Sequence, residues 1–143
     1  MENDTVRLLR ECNSGIKMGR SSINHVIHHA KNHGLKAALN ACKDQHATLG
    51  DKTHRMLIEH GAQTKDPHPI ASVMSDMKVR GKMLTSPTDK TIADVMTDGC
   101  DMGIKSLSRY LNQYTNASLP AKNIAKELIS AEMALEESLR AYL

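Results

Sequence analysis

Apolar residues recur three and four residues apart in four long stretches of this chain, the spacing of helices that turn one face to a core. The first stretch is Leu9, Cys12, Ile16, Gly19, Ile23, Val26 with Ile27, and Ala30. It predicts a helix over about residues 4–33, with Asp4 or Thr5 as the N-terminal cap. Gly34 follows as a left-handed C-terminal cap. The second stretch, Leu35, Leu39, Cys42, His46, Leu49, Thr53, Met56 and His60, predicts a helix over about 35–60 that stops at Gly61. Two histidines fall on its apolar seam.

Beyond Gly61 the pattern loosens. Asp66-Pro67-His68-Pro69 opens a shorter helix over about 69–84, with Ile70, Met74, Met77, Gly81 and Leu84 on one face. Ser86-Pro87-Thr88-Asp89 is a helix start, with Ser86 as the cap and Pro87 at the first position. The helix it begins spans about 87–115 and carries Ile92, Met96, Gly99, Cys100, Gly103, Leu107, Tyr110, Leu111 and Tyr114. A break at Asn116-Ala117-Ser118 leads into a last helix over about 119–142, with Ile124, Leu128, Ala131, Leu135, Leu139 and Tyr142 inward. Tight links make the first and second long helices antiparallel, and likewise the third and fourth. The long middle connection leaves the second and third parallel, the one-crossover topology of ferritin-like folds. The expected class is therefore all-α: a single-domain four-helix bundle over residues 1–143 with a short crossover helix.

Several local sequences point the same way. They are Glu11-Cys12 with Gly15 and Met18-Gly19, then His46 and Leu49-Gly50. Thr91-Ile92-Ala93-Asp94 runs on through Thr97-Asp98-Gly99-Cys100, Met102-Gly103 and Ser106-Leu107 to Tyr110-Leu111. With these residues the chain resembles a family of bacterial ferritin-like four-helix-bundle proteins classed as a domain of unknown function. The resemblance implies the bundle fold; no activity travels with it.

Composition narrows the class further. There is no Phe or Trp and only three Tyr, so the core is Leu, Ile, Val, Met and Ala, which disfavours strands. The formal net charge of +3 comes from well-mixed charges, and the densest basic run is only Lys78, Arg80 and Lys82. With so few rings to stack bases, no nucleic-acid partner is expected. No apolar run approaches the roughly 18 residues of a membrane span, and the polar start Met-Glu-Asn-Asp is no signal peptide. A cytoplasmic location without membrane attachment is the expectation. Tyr110, Leu111 and Tyr114 widen the third helix's apolar face beyond one seam, which suggests a homodimer. No other protein partner can be specified.

The candidate chemistry is sparse, and no catalytic constellation or cofactor motif is present. Di-iron bundles direct a Glu from each of two helices, and Glu-x-x-His from the other two, into the core. This chain has no Glu-x-x-His; Asp51 and His54 come nearest and fall on a polar face. His25 and His29 stand four apart in the first helix, as do His29 and His33, a spacing that can chelate zinc or nickel. Their plain reading is a solvated face. His46 lies on the core seam, level with Cys100 and near Glu136, where a His/Cys/Glu group could hold a metal. Its plain reading is a hydrogen-bonded core histidine. The three cysteines otherwise read as small core residues, with Cys12 and Cys42 too far apart along the helices to pair. Gly15 with Gly19, and Gly99 with Gly103, fall at one height in the bundle. Close helix packing is the ordinary reason for such glycines, and room for a ligand is the other. The expected function is a non-enzymatic bundle acting through its surfaces. The alternatives are metal binding at His46 or the first-helix histidines, and small-ligand binding at the glycine waist.

Overall fold

The computed structural model describes residues 3–63, 79 and 81–143. All regular structure among them is helical. Four long helices dominate: α1 (Asp4–Val26), α2 (His33–Glu59), α3 (Asp89–Gln113) and α4 (Leu119–Leu139). Short 3-10 turns, Ile27–His29 and Arg140–Tyr142, extend α1 and α4.

Polar links at the helix ends establish the chain's course. The backbone N–H groups of Lys31 and Asn32 donate to Asp89 at 2.8 and 3.1 Å, so the α1–α2 turn sits beside the start of α3. Tyr142 donates to Asn32 at 3.1 Å, which brings the end of α4 to the same place. At the opposite end Asn116 N–H donates to Asp4 and Ser118 N–H to Thr5. Helices α2 and α3 therefore run parallel, and each is antiparallel to its hairpin partner. Across the hairpins α2 packs on α4, and α1 packs on both α3 and α4.

The caps differ from expectation in an instructive way. Helix α1 is capped by Asn3, whose side chain accepts from Val6 N–H, in place of Asp4 or Thr5. Asn32 caps α2 by accepting from the N–H groups of Gly34 and Leu35. Gly34 thus lies in the first turn of α2 and does not terminate α1. The left-handed backbone expected at Gly34 occurs at Gly61, with φ of 68°. An asparagine two residues before a glycine offers the competing signal, and the cap it makes contributes about 1 kcal/mol. Thr88 caps α3 where Ser86 was expected, accepting from Thr91 N–H. Ser118 caps α4 ahead of Pro120.

The inward stripes are otherwise as expected, except at two places. On α2 the last inward residue is Leu57, while His60 is exposed. The expected crossover helix lies largely outside the described residues. In its described part residues 81–85 are helical, with Val79 and Met83 buried and Leu84 88% exposed. The inward face there is Val79 and Met83, four apart, and not Gly81 and Leu84.

The core divides into two apolar clusters. One, around Ile23, Val26, Leu35, Leu39, Ile92 and Leu139, fills the end nearest the α1–α2 turn. The other, around Leu8, Leu9, Leu57, Leu107, Ile124 and Leu128, fills the opposite end. Each fully buried leucine or isoleucine contributes about 1.5–3 kcal/mol. Between the clusters lies a polar layer. On α2, His46 falls between Cys42 of one cluster and Leu49 of the other; on α4, Glu132 falls between Leu135 and Leu128. Tyr110, Leu111 and Tyr114 pack partly buried against the second cluster, so much of α3's wide apolar face is used inside the chain.

Candidate functional site

The polar layer is built from single residues of α2 and α4. His46 is 1% exposed. Its Nδ1–H donates to the backbone carbonyl of Cys42, one turn back, at 2.8 Å. The Cys42 thiol lies 3.5 Å from the same nitrogen. Nε2 faces Glu132 Oε1 at 2.8 Å across the α2–α4 seam. Burial alone disfavours a charged ring, but the hydrogen bonds to Cys42 and Glu132 and the charge of the Glu132 carboxylate outweigh it. The His46 pKa is raised to about 10. An imidazolium donating from both nitrogens, to the Cys42 carbonyl and the Glu132 carboxylate, satisfies every polar atom of the ring.

Cys100 on α3 adds a second thiol to this layer. It is buried, and its pKa is driven upward by burial, by the charge and hydrogen-bonding of the neighbouring Glu132, and by the nearby Cys42 and Glu136. Cys42 and Glu132 thus meet the imidazole, and Cys100 approaches Glu132. The third thiol, Cys12, lies away from the layer and is pushed up to about 12 by burial and by Glu11. All three cysteines are free.

The glycines sit around this layer but do not act alike. An added Cβ on Gly19 would meet the His46 ring at 3.0 Å, and one on Gly103 would meet the Glu132 carboxyl at 3.5 Å. These two glycines leave room for the polar pair. Gly15 and Gly99, one turn along on the same two helices, would have nothing within 4 Å of such a Cβ. Close helix packing does not describe them. The space beside them is a cavity of about 260 Å³ between α1 and α3, with exposed glycines at its mouth. Met18, Met96 and Met102 line its sides; His46, Cys42, Cys100 and Glu132 lie at its inner end. Glu11 and Tyr110, hydrogen-bonded to each other, line another part of the wall. A second depression near Lys52, Glu59 and Glu127 is wide open and lined largely by charged side chains.

The sequence-predicted residues are therefore sorted by the fold. His46 and Cys100 both line the cavity and neighbour Glu132; Glu136, near Cys100, has its pKa raised chiefly by the Asp101 carboxyl. Glu132, one turn earlier on α4, takes the place expected for Glu136. The first-helix histidines lie at the end of α1. The α-helix ends at Val26 and His29 lies in the 3-10 turn that follows, so His25 and His29 sit on different kinds of helical turn. His25 Nε2 lies 3.4 Å from Ser21 Oγ. Asp51 and His54 are exposed.

Among the described residues one group of three metal-ligand side chains converges: Cys42, His46 and Glu132, with ligand atoms all within 4.8 Å of one another. Sequence reasoning missed Cys42 and Glu132. The signal for Cys42 was its spacing of four from His46, which puts a thiol and an imidazole on one helix face. No helix among the described residues is long and apolar enough to cross a membrane. No protein-family model, curated protein or solved structure matches this chain.

Proposed function

We propose that this protein is a binding protein of the ferritin-like four-helix type, and that it holds a small, mainly apolar molecule in the cavity between α1 and α3. The observation that carries the reading is the cavity itself. It reaches from exposed Gly15 and Gly99 to the buried His46–Glu132 pair. Its volume of about 260 Å³ falls just below the roughly 300–1,000 Å³ of drug-sized sites, which limits the occupant to a small molecule. Apolar walls with a few polar groups at one end are the usual design of such sites. Three methionines supply flexible, polarisable walls that adapt to a ligand's shape. Glu132 offers a carboxylate to a ligand N–H or O–H, so the preferred occupant carries one donor on an apolar body. The one-crossover course of the helices supports the ferritin-like reading. Nothing in the residues points to catalysis, and no observation favours an interface over the cavity as the working part.

The test is a titration of chelator-treated protein with indole, and with indene, which has the same shape and no N–H. Methyl resonances of Met18, Met96 and Met102 report occupancy. Indole should move them saturably and more tightly than indene. Gly99→Leu, placed in open space, should abolish the shifts without unfolding the protein. Methionine methyls that do not respond to indole, or that respond equally in Gly99→Leu, would overturn the reading.

A further inference from the structure

The geometry points to a second use of the layer below the cavity: Cys42, His46 and Glu132 form a mononuclear zinc(II) site. This does not depend on what occupies the cavity.

The donor set is a thiolate sulfur, an imidazole nitrogen and a carboxylate oxygen, the three donor types that zinc takes from proteins. Their atoms lie within 4.8 Å of one another. Zinc bonds of about 2.0–2.3 Å put ligands of one ion roughly 3–4 Å apart, so the set closes once the Cys42 sulfur, 3.5 Å from Nδ1, swings toward the Nε2 side. His46 is already oriented for this role. Its Nδ1–H is held by the Cys42 carbonyl at 2.8 Å, which leaves Nε2 to carry the lone pair once its proton departs. Such an outer hydrogen bond on the second ring nitrogen is the usual partner of a zinc-bound histidine. Glu132 Oε1 stands 2.8 Å from that same Nε2, where a bridging proton would give way to the ion.

Donor count argues in the same direction. Cys42, His46 and Glu132 bring three donor atoms to one buried point, and a single proton between His46 and Glu132 uses only two of them. The binding step is a proton exchange: zinc enters as Zn²⁺, and protons leave from the Cys42 thiol and from the His46–Glu132 pair to solvent. No oxidation state changes. The cavity supplies the entry path and can leave a fourth coordination position open to it. A ferritin-like di-iron centre needs four carboxylates and two histidines, so this is a different kind of site. A buried ion pair is also poorly explained by stability, because apolar residues of similar volume do as well or better.

The test uses protein purified without a histidine tag, stripped with chelator and titrated with Co(II), then with Zn(II). One equivalent of Co(II) should produce a thiolate-to-cobalt charge-transfer band that one equivalent of Zn(II) removes. Cys42→Ser should lose the band, while Cys12→Ser and the pair His25→Ala with His29→Ala should keep it. Glu132→Gln should weaken zinc at least as much as loss of an outer-shell partner does, about 10–100-fold. Circular dichroism checks that each variant folds, and Glu132→Gln answers the question if Cys42→Ser does not. Three results would overturn the site: no stoichiometric binding by the wild-type chain, a band that survives Cys42→Ser, or binding lost with the two α1 histidines.

Discussion

Two seams cross the middle of this molecule at the same height, and they are built in opposite ways. Between α2 and α4 the gap is bridged by His46 and Glu132, joined at 2.8 Å. Between α1 and α3 the chain places glycines, and a cavity of about 260 Å³ remains. Each hairpin thus contributes a glycine pair from its first helix and one long polar residue from its second. Gly19 and Gly103 give those polar residues room, whereas Gly15 and Gly99 border space that nothing fills. A polar contact holds one seam closed, and the absence of side chains keeps the other open.

The largest expected effect comes from breaking the closed seam. His46→Ala removes a fully buried ring and leaves Glu132 facing an apolar gap. Breaking one partner out of a buried charged pair typically costs about 3–5 kcal/mol. Urea denaturation with chelator present should show a loss in that range. A change below about 1 kcal/mol would mean that the pair contributes little to the fold. The double replacement of His46→Leu with Glu132→Met sharpens the point. It should recover most of the loss, since apolar residues of similar volume substitute well for buried pairs. It should nevertheless remove every trace of stoichiometric zinc.

An intermediate effect is expected where the two seams touch. Gly19 lies on the open seam's helix but backs onto the closed seam's histidine. A Cβ there meets the ring at 3.0 Å, and two hydrogen bonds prevent the ring from giving way freely. Gly19→Leu should overpack and destabilise by about 1–3 kcal/mol. The same substitution at Gly103 should cost less, because its neighbour is the Glu132 side chain at 3.5 Å. Thermal denaturation of both variants ranks them. A more stable Gly19→Leu protein would show that the His46 ring is free to move.

The four long helices were legible in the sequence because their signal is redundant. Each stripe has six or more inward positions, and a single polar or glycine residue does not obscure it. Helix ends were less legible because their signals compete over a few residues. Asn32 and Gly34 each mark a boundary, and only the capping hydrogen bonds show which prevails. The site was half legible. His46 and Cys100 stand out as chemistry-bearing groups on apolar stripes. Glu132 does not, because its height relative to His46 depends on how α4 is offset along the bundle, and one turn of offset exchanges it with Glu136. The cavity was least legible. Glycine is the sequence signal both for two helices that touch and for two that stand apart, and only their separation distinguishes the cases.

The smallest expected effect discriminates between those two cases most directly. Gly15→Ala and Gly99→Ala each place a methyl group where nothing lies within 4 Å. Both positions are interior to long helices, where glycine costs about 0.5–1 kcal/mol relative to alanine. Each variant should therefore gain about that amount, measured as a rise in urea midpoint at constant slope. A loss in either would show that the helices approach one another more closely than the cavity allows. The gain carries a functional consequence, because these glycines forgo stability that the smallest possible substitution supplies. What they provide in return is width at the cavity mouth. Indole affinity should accordingly fall as stability rises, with the double variant binding more weakly than either single one. Affinity unchanged in the more stable double variant would place the ligand elsewhere and remove the reason for the open seam.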